Sequence, residues 1–172
     1  AGLRRGAAAA VLGEAGAGKS RLLEERLAEL SAPEEAGGHP AVEIHRGVCE
    51  RFQGAEPFQP FVQMLRRLGP EAAEGAPPAE RAALARLLAP GSERGPERGE
   101  GREAEPDVPP ADAVGIETMS AALGGVFARR AAARPQLLCI DDLHWADAGA
   151  RRVLGDLLRA RPPGVSVLAA TR

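Results

Sequence analysis

The residue types with the clearest chemistry lie near the amino terminus. Gly13-Glu14-Ala15-Gly16-Ala17-Gly18-Lys19-Ser20 fits the spacing G-x-x-x-x-G-K-[ST], with Arg21 following directly. Glycines let a turn take conformations closed to other residues and bring backbone N–H groups close to an anion. A helix starting directly after the turn would aim its dipole and unpaired N–H groups at the same anion. Lys19 supplies a compact, mobile charge suited to bridging two phosphates, and Ser20 a small oxygen ligand for Mg2+. At this chain's own residue frequencies the spacing arises by chance about one time in a thousand or less. The bland alternative is a glycine-rich strand-to-helix turn carrying an exposed lysine. Composition speaks for chemistry: 21 of the 22 basic residues are Arg, and Lys19 is the single lysine. A guanidinium does not replace an ammonium at such a site.

A second candidate group closes the apolar run Leu137-Leu138-Cys139-Ile140, which ends in Asp141-Asp142. Asp141 would hold the shell of a Mg2+ ion, and Asp142 would orient or deprotonate an attacking water. Taken alone the pair is equally a helix-capping turn. His144 and Trp145 read as a polar turn residue and a packing aromatic, and Asp147 as a helix cap rather than a metal ligand. Arg172 follows the run Val165–Ala170 and is either a sensor of the terminal phosphate or a frayed arginine.

These groups need elements to position them. Ala7–Leu12 is a short small-apolar run before a glycine and reads as a buried strand. Leu22, Leu23, Leu27 and Leu30 recur at helical spacing, predicting an amphipathic helix from Gly18 to Leu30 that Pro33 and Gly37-Gly38 end. Val42, Ile44 and Val48 alternate with Glu43 and His45 as a second strand. Helical patterns follow around Phe61–Leu68, over 79–89 and over Val114–Arg134. Residues 90–110 are rich in Gly, Pro, Glu and Arg, with Val108 the sole sizeable apolar side chain, and read as a flexible loop. Val153, Leu154, Leu157 and Leu158 mark a helix capped by Asp147, and Val165–Ala170 a last strand. Alternation of strand and helix predicts a parallel sheet covered on both faces.

The totals narrow the classes. Of 172 residues 35 are Ala, leaving 41 larger apolar side chains, enough for one sheet with its helices and not for two separate cores. Formal net charge is −2, with Arg interleaved among Glu, which argues against direct nucleic-acid contact. No apolar run reaches the roughly 18 residues a membrane span needs, so a cytoplasmic protein is expected. Two cysteines, Cys49 and Cys139, exclude a disulfide scaffold and a four-cysteine zinc site, and are expected to be buried reduced thiols.

GEAGAGKSR (13–21), RGVCERFQGAEPFQPF (46–61), LLCIDDLHWAD (137–147) and LAATR (168–172) together resemble the AAA-like ATPase module of STAND regulators. That module occurs in large LuxR-type transcriptional activators and in multidomain cyclases and kinases of bacteria. The resemblance implies a three-layer α/β/α P-loop NTPase fold of the ASCE type, with parallel strand order 5-1-4-3-2. It implies ATP and Mg2+ as cofactors, with phosphate contacts from Gly13 to Arg21, metal contacts from Ser20 and Asp141, and catalytic roles for Lys19, Asp142 and Arg172. The chain stops after the fourth strand, so strand 5 and the helical lid are expected to be missing and residues 1–172 to be one ATPase domain of a longer polypeptide. The strand before the cradle would then be a bare edge open to self-association. The implied activity is a regulatory switch set by ATP or ADP and reset by slow hydrolysis, with the remaining domains of the polypeptide as partners. A binding-only module and a small-molecule kinase are the alternatives.

Overall fold

The computed structural model describes residues 6–31, 42–51, 57–89 and 115–172. The expected loop over 90–110 and the helix stop at Pro33 lie outside the described residues. Elements follow in the order β1 (Ala8–Leu12), α1 (Lys19–Ser31), β2 (Glu43–Val48), α2 (Gln59–Leu68), α3 (Pro78–Leu88), α4 (Ile116–Ala131), β3 (Gln136–Asp141), α5 (Ala148–Ala160) and β4 (Val165–Thr171). Short 3-10 turns at Gly69–Ala73 and Leu143–Trp145 complete them. The strands form one parallel sheet in the order β1-β4-β3-β2, the expected order without its fifth strand.

The middle of β3, residues 137–140, is apolar without interruption because helices cover both of its faces. Leu138 and Ile140 enter a large cluster with Phe61, Leu65, Leu123, Phe127 and Val153 from α2, α4 and α5. Leu137 and Cys139, on the opposite face, meet Leu27 of α1. The layers are therefore α1, the sheet, and α2 to α5, and the thicker layer holds most of the core.

One expectation about burial is corrected. β1 reads as a buried strand, but most of its residues are exposed and Leu12 is 72% exposed. It pairs with β4 alone among the described residues, so small apolar side chains there reflect an edge rather than a core. In β2 the apolar alternation correctly marks a strand, yet the buried positions are His45 and Gly47, while Val48 is exposed. These two face the thicker helical layer, whereas the apolar face meets only α1. His45 is accommodated by chemistry: its Nε2 lies 2.7 Å from Gln136 Oε1, an oxygen that can only accept. Gln136 in turn donates to Glu43 (3.1 Å) and to the Arg134 carbonyl (2.6 Å). Burial holds the His45 imidazole below its ordinary value and hence neutral. For Glu43 burial acts upward, but hydrogen bonds from Arg130 and Gln136 outweigh it and hold the carboxyl below its ordinary value.

The outer edge of β2 is closed by α2. Arg67 donates to the Arg46 carbonyl (2.6 Å), Gln63 bonds both the N–H (2.9 Å) and the carbonyl (3.3 Å) of Val48, and Gln59 accepts from Glu50 N–H (2.9 Å). Side chains thus take the place of a further strand on alternate residues of that edge. Such close approach requires Gly47: a Cβ there would stand 2.7 Å from the Pro60 Cα and collide with its carbonyl. Gly47→Ala is expected to destabilise the fold by about 2–3 kcal/mol, lowering the melting midpoint by about 5–10 °C. Thermal unfolding followed by circular dichroism checks this, and an unchanged midpoint would mean that α2 does not pack this tightly on β2.

Candidate functional site

The glycine-rich turn leaves β1 and delivers the chain into α1 at Lys19. Gly16 and Gly18 adopt φ of 79° and 80° with open space where a Cβ would be, so these glycines answer a conformational demand rather than a steric one. Ala17 N–H bonds the Glu14 carbonyl (3.2 Å), and Leu22 N–H bonds the Gly18 carbonyl (2.9 Å) to begin the helix. Glu14, Ala15 and Ala17 are exposed loop residues. Lys19 Nζ donates to the carbonyls of Gly13 and Glu14, each at 2.8 Å. These are neutral acceptors, and a phosphate oxygen is the stronger partner for the same ammonium. Arg21 Nε donates to Glu25 (2.9 Å) with a side chain 83% exposed, so its side chain runs along the surface of α1.

The sheet brings Asp141 to this turn. Its Oδ2 accepts from Ser20 Oγ at 2.7 Å, and its Oδ1 accepts from Asp142 N–H at 2.8 Å. A hydroxyl and a carboxylate oxygen this close form a hard donor pair that fits Mg2+, an ion that takes its other ligands from phosphate and water. Asp142 follows in a left-handed conformation, φ 51° and ψ 40°, with a half-exposed side chain. Thr171 is in register with Leu12, so Arg172, the next residue, is at the cradle end of the sheet. Its side chain is exposed and makes no hydrogen bond or ion pair among the described residues. Lys19, Ser20, Asp141 and Asp142 thus gather at one end of the sheet, with Arg172 placed nearby by register alone. The cradle itself is an exposed surface. A larger cavity of about 650 Å3 lies elsewhere, where Arg129, Arg130 and Arg134 are matched by Glu43, Glu71 and Glu74.

The support beneath the acids is not legible in the sequence. Cys49 N–H bonds the Asp141 carbonyl (3.0 Å), extending the β2–β3 ladder past the end of β2. The Arg51 guanidinium lies 4.9 Å over the Trp145 ring. Asp147 caps α5 as expected, accepting from Ala150 N–H (2.9 Å), and its second oxygen accepts from Phe58 N–H (3.0 Å). Phe58 is itself left-handed (φ 60°), and its ring closes on Gly149, where a Cβ would stand 2.7 Å away. One carboxylate therefore joins the starts of α2 and α5. Asp147→Ala is expected to lose both bonds and about 1–3 kcal/mol of stability, measured by urea unfolding.

Both thiols are buried and unpaired. Burial pushes Cys49 up to about 12, and the neighbouring carboxylates of Asp147, Asp142 and Asp141 add to it. Burial takes Cys139 to about 11. Both are raised above their ordinary 9.0, so the folded state keeps protons that the unfolded state releases. Their contribution to stability is therefore full below about pH 9 and is lost as pH rises toward about 12. Urea midpoints at about pH 8 and about pH 10.5 are expected to show this fall, and Cys49→Ala to flatten part of it. The same slope in Cys49→Ala and wild type would mean the Cys49 thiol is not shielded.

Compared with known proteins, residues 2–169 match the family model described as AAA ATPase domain. No curated protein and no solved structure matches the chain. A match over nearly the whole chain places it in that family: the protein belongs to the AAA ATPase domain family. Among the described residues no helix is long and apolar enough to cross a membrane.

Proposed function

We propose that this AAA ATPase domain binds Mg·ATP and hydrolyses it slowly, as the nucleotide-operated switch of a cytoplasmic bacterial regulator of the STAND or LuxR type. The observation that carries the reading is the 2.7 Å hydrogen bond from Ser20 to Asp141, which joins the helix after the glycine-rich turn to the acidic end of β3. Backbone N–H groups of residues 13–21 cradle the phosphates, and Lys19 exchanges its two carbonyl acceptors for β- and γ-phosphate oxygens. Ser20 and Asp141 would hold Mg2+, which would neutralise charge on the phosphate oxygens.

Asp142 orients the attacking water and takes its proton. The water oxygen bonds to the γ-phosphorus as the bond to the β,γ-bridging oxygen breaks. The electron pair leaves with ADP, and the proton passes from Asp142 to the released phosphate. Arg172, at the cradle end of the sheet, senses the γ-phosphate, so that ATP and ADP states differ in shape and in contacts with the remaining domains of the polypeptide. ATP is preferred over GTP on family likeness.

Fluorescent ATP and ADP titrations with Mg2+, together with phosphate release, test the reading. Lys19→Ala is expected to weaken ATP binding by at least about 100-fold. Asp142→Asn is expected to retain binding and lose about 100-fold or more in turnover. Wild-type turnover in Asp142→Asn would remove Asp142 as the base. Binding without any phosphate release from the wild type would make the domain a binding-only module, and release only with an added acceptor a kinase.

A further inference from the structure

His144 has no part in the mechanism above, yet its surroundings are unusual. It sits in the 3-10 turn Leu143–Trp145 directly after Asp142. Both ring nitrogens are buried, and neither has a hydrogen-bond partner among the described residues. A buried polar group left unmet is costly. The nearest charged oxygen is Asp142 Oδ1, 3.8 Å from Nδ1. That is too long for a hydrogen bond, and a shift of about 1 Å would make one.

The ring is the fixed partner of this pair. It packs on Trp145 with centroids 4.8 Å apart, and Trp145 is covered in turn by Arg51. Asp142 is the movable one, because its half-exposed carboxylate makes no hydrogen bond among the described residues. The turn itself is held, but among the described residues no hydrogen bond orients the Asp142 carboxylate within it.

We propose that His144 is the positioning residue for Asp142: when nucleotide binds, His144 Nδ1–H donates to the Asp142 carboxylate and fixes the face that receives the proton of the attacking water. This rests on the hydrolytic reading above. His144 touches neither nucleotide nor metal and acts through Asp142 alone.

The test compares wild type, His144→Ala, His144→Asn, Asp142→Asn and the double variant His144→Ala/Asp142→Asn in Mg·ATP affinity and turnover. His144→Ala is expected to bind Mg·ATP within about twofold of wild type while turnover falls about 10–100-fold. His144→Asn, whose amide N–H can stand in for Nδ1–H, is expected to recover most of that loss. Added to Asp142→Asn, His144→Ala is expected to cost nothing further, since it acts through the group already removed. An independent readout is histidine 15N NMR, practicable with three histidines in the chain. Mg2+ with a non-hydrolysable ATP analogue is expected to move His144 to the Nδ1–H form in wild type and not in Asp142→Ala. This readout stands even if His144→Ala fails to fold.

Wild-type turnover in His144→Ala with an inactive Asp142→Asn overturns this proposal alone. So does a loss that His144→Asn does not recover and that adds in full to Asp142→Asn. Absence of Mg2+-dependent phosphate release from the wild type overturns the hydrolytic reading, and this proposal with it.

Discussion

The hydrogen bond from Ser20 to Asp141 crosses the sheet. Ser20 begins the helix after β1, Asp141 ends β3, and β4 lies between those two strands. For the two oxygens to meet, the glycine turn must reverse the chain at the carboxyl end of β1, and α1 must run over β4 toward the far side. Leu27 secures that path by packing on Leu137 and Cys139 of β3. The position of the candidate site thus follows from strand order: with β4 between β1 and β3, a gap opens that, in the proposed function, a phosphate and its cation would span.

The same order sets an asymmetry between the sheet's two edges. β2 has its outer edge occupied by Gln59, Gln63 and Arg67 of α2, held close by the missing side chain at Gly47. β1 has no comparable cover among the described residues and exposes Leu12. An uncovered edge offers unpaired N–H and C=O groups to any strand of matching direction. The glycine-rich turn therefore springs from the less supported side of the molecule, whereas the acids stand on the better supported side.

That support is a set of contacts between two stretches far apart in the chain. Cys49, Arg51 and Phe58 brace the end of β3 through the Cys49–Asp141 backbone bond, the Arg51–Trp145 contact and the shared carboxylate of Asp147. Together they hold the turn in which Asp142 is left-handed and the ring nitrogens of His144 are buried. For the proposed mechanism that rigidity matters, because a carboxylate misplaced by an ångström loses much of its effect on an attacking water.

The sequence by itself determined whatever depends on near neighbours along the chain. Glycine and lysine spacing specified the turn, the leucine period specified α1, the unbroken apolar run marked β3 as covered on both faces, and Asp147 announced a helix start. That the sheet is parallel followed from the alternation of strand and helix, whereas the order of its strands was reached through family resemblance. Tertiary structure alone decided how deep each element lies and what its polar groups meet. The small apolar residues of β1 look buried by composition but stand at an edge, and His45 lies inside with Gln136 as its partner. The second bond of Asp147, the tight seat of Gly47 under Pro60 and the buried ring nitrogens of His144 belong to the same class. The physical reason is range: backbone preference and periodicity act over a few residues, whereas burial and hydrogen-bond satisfaction depend on which distant segment folds against each position.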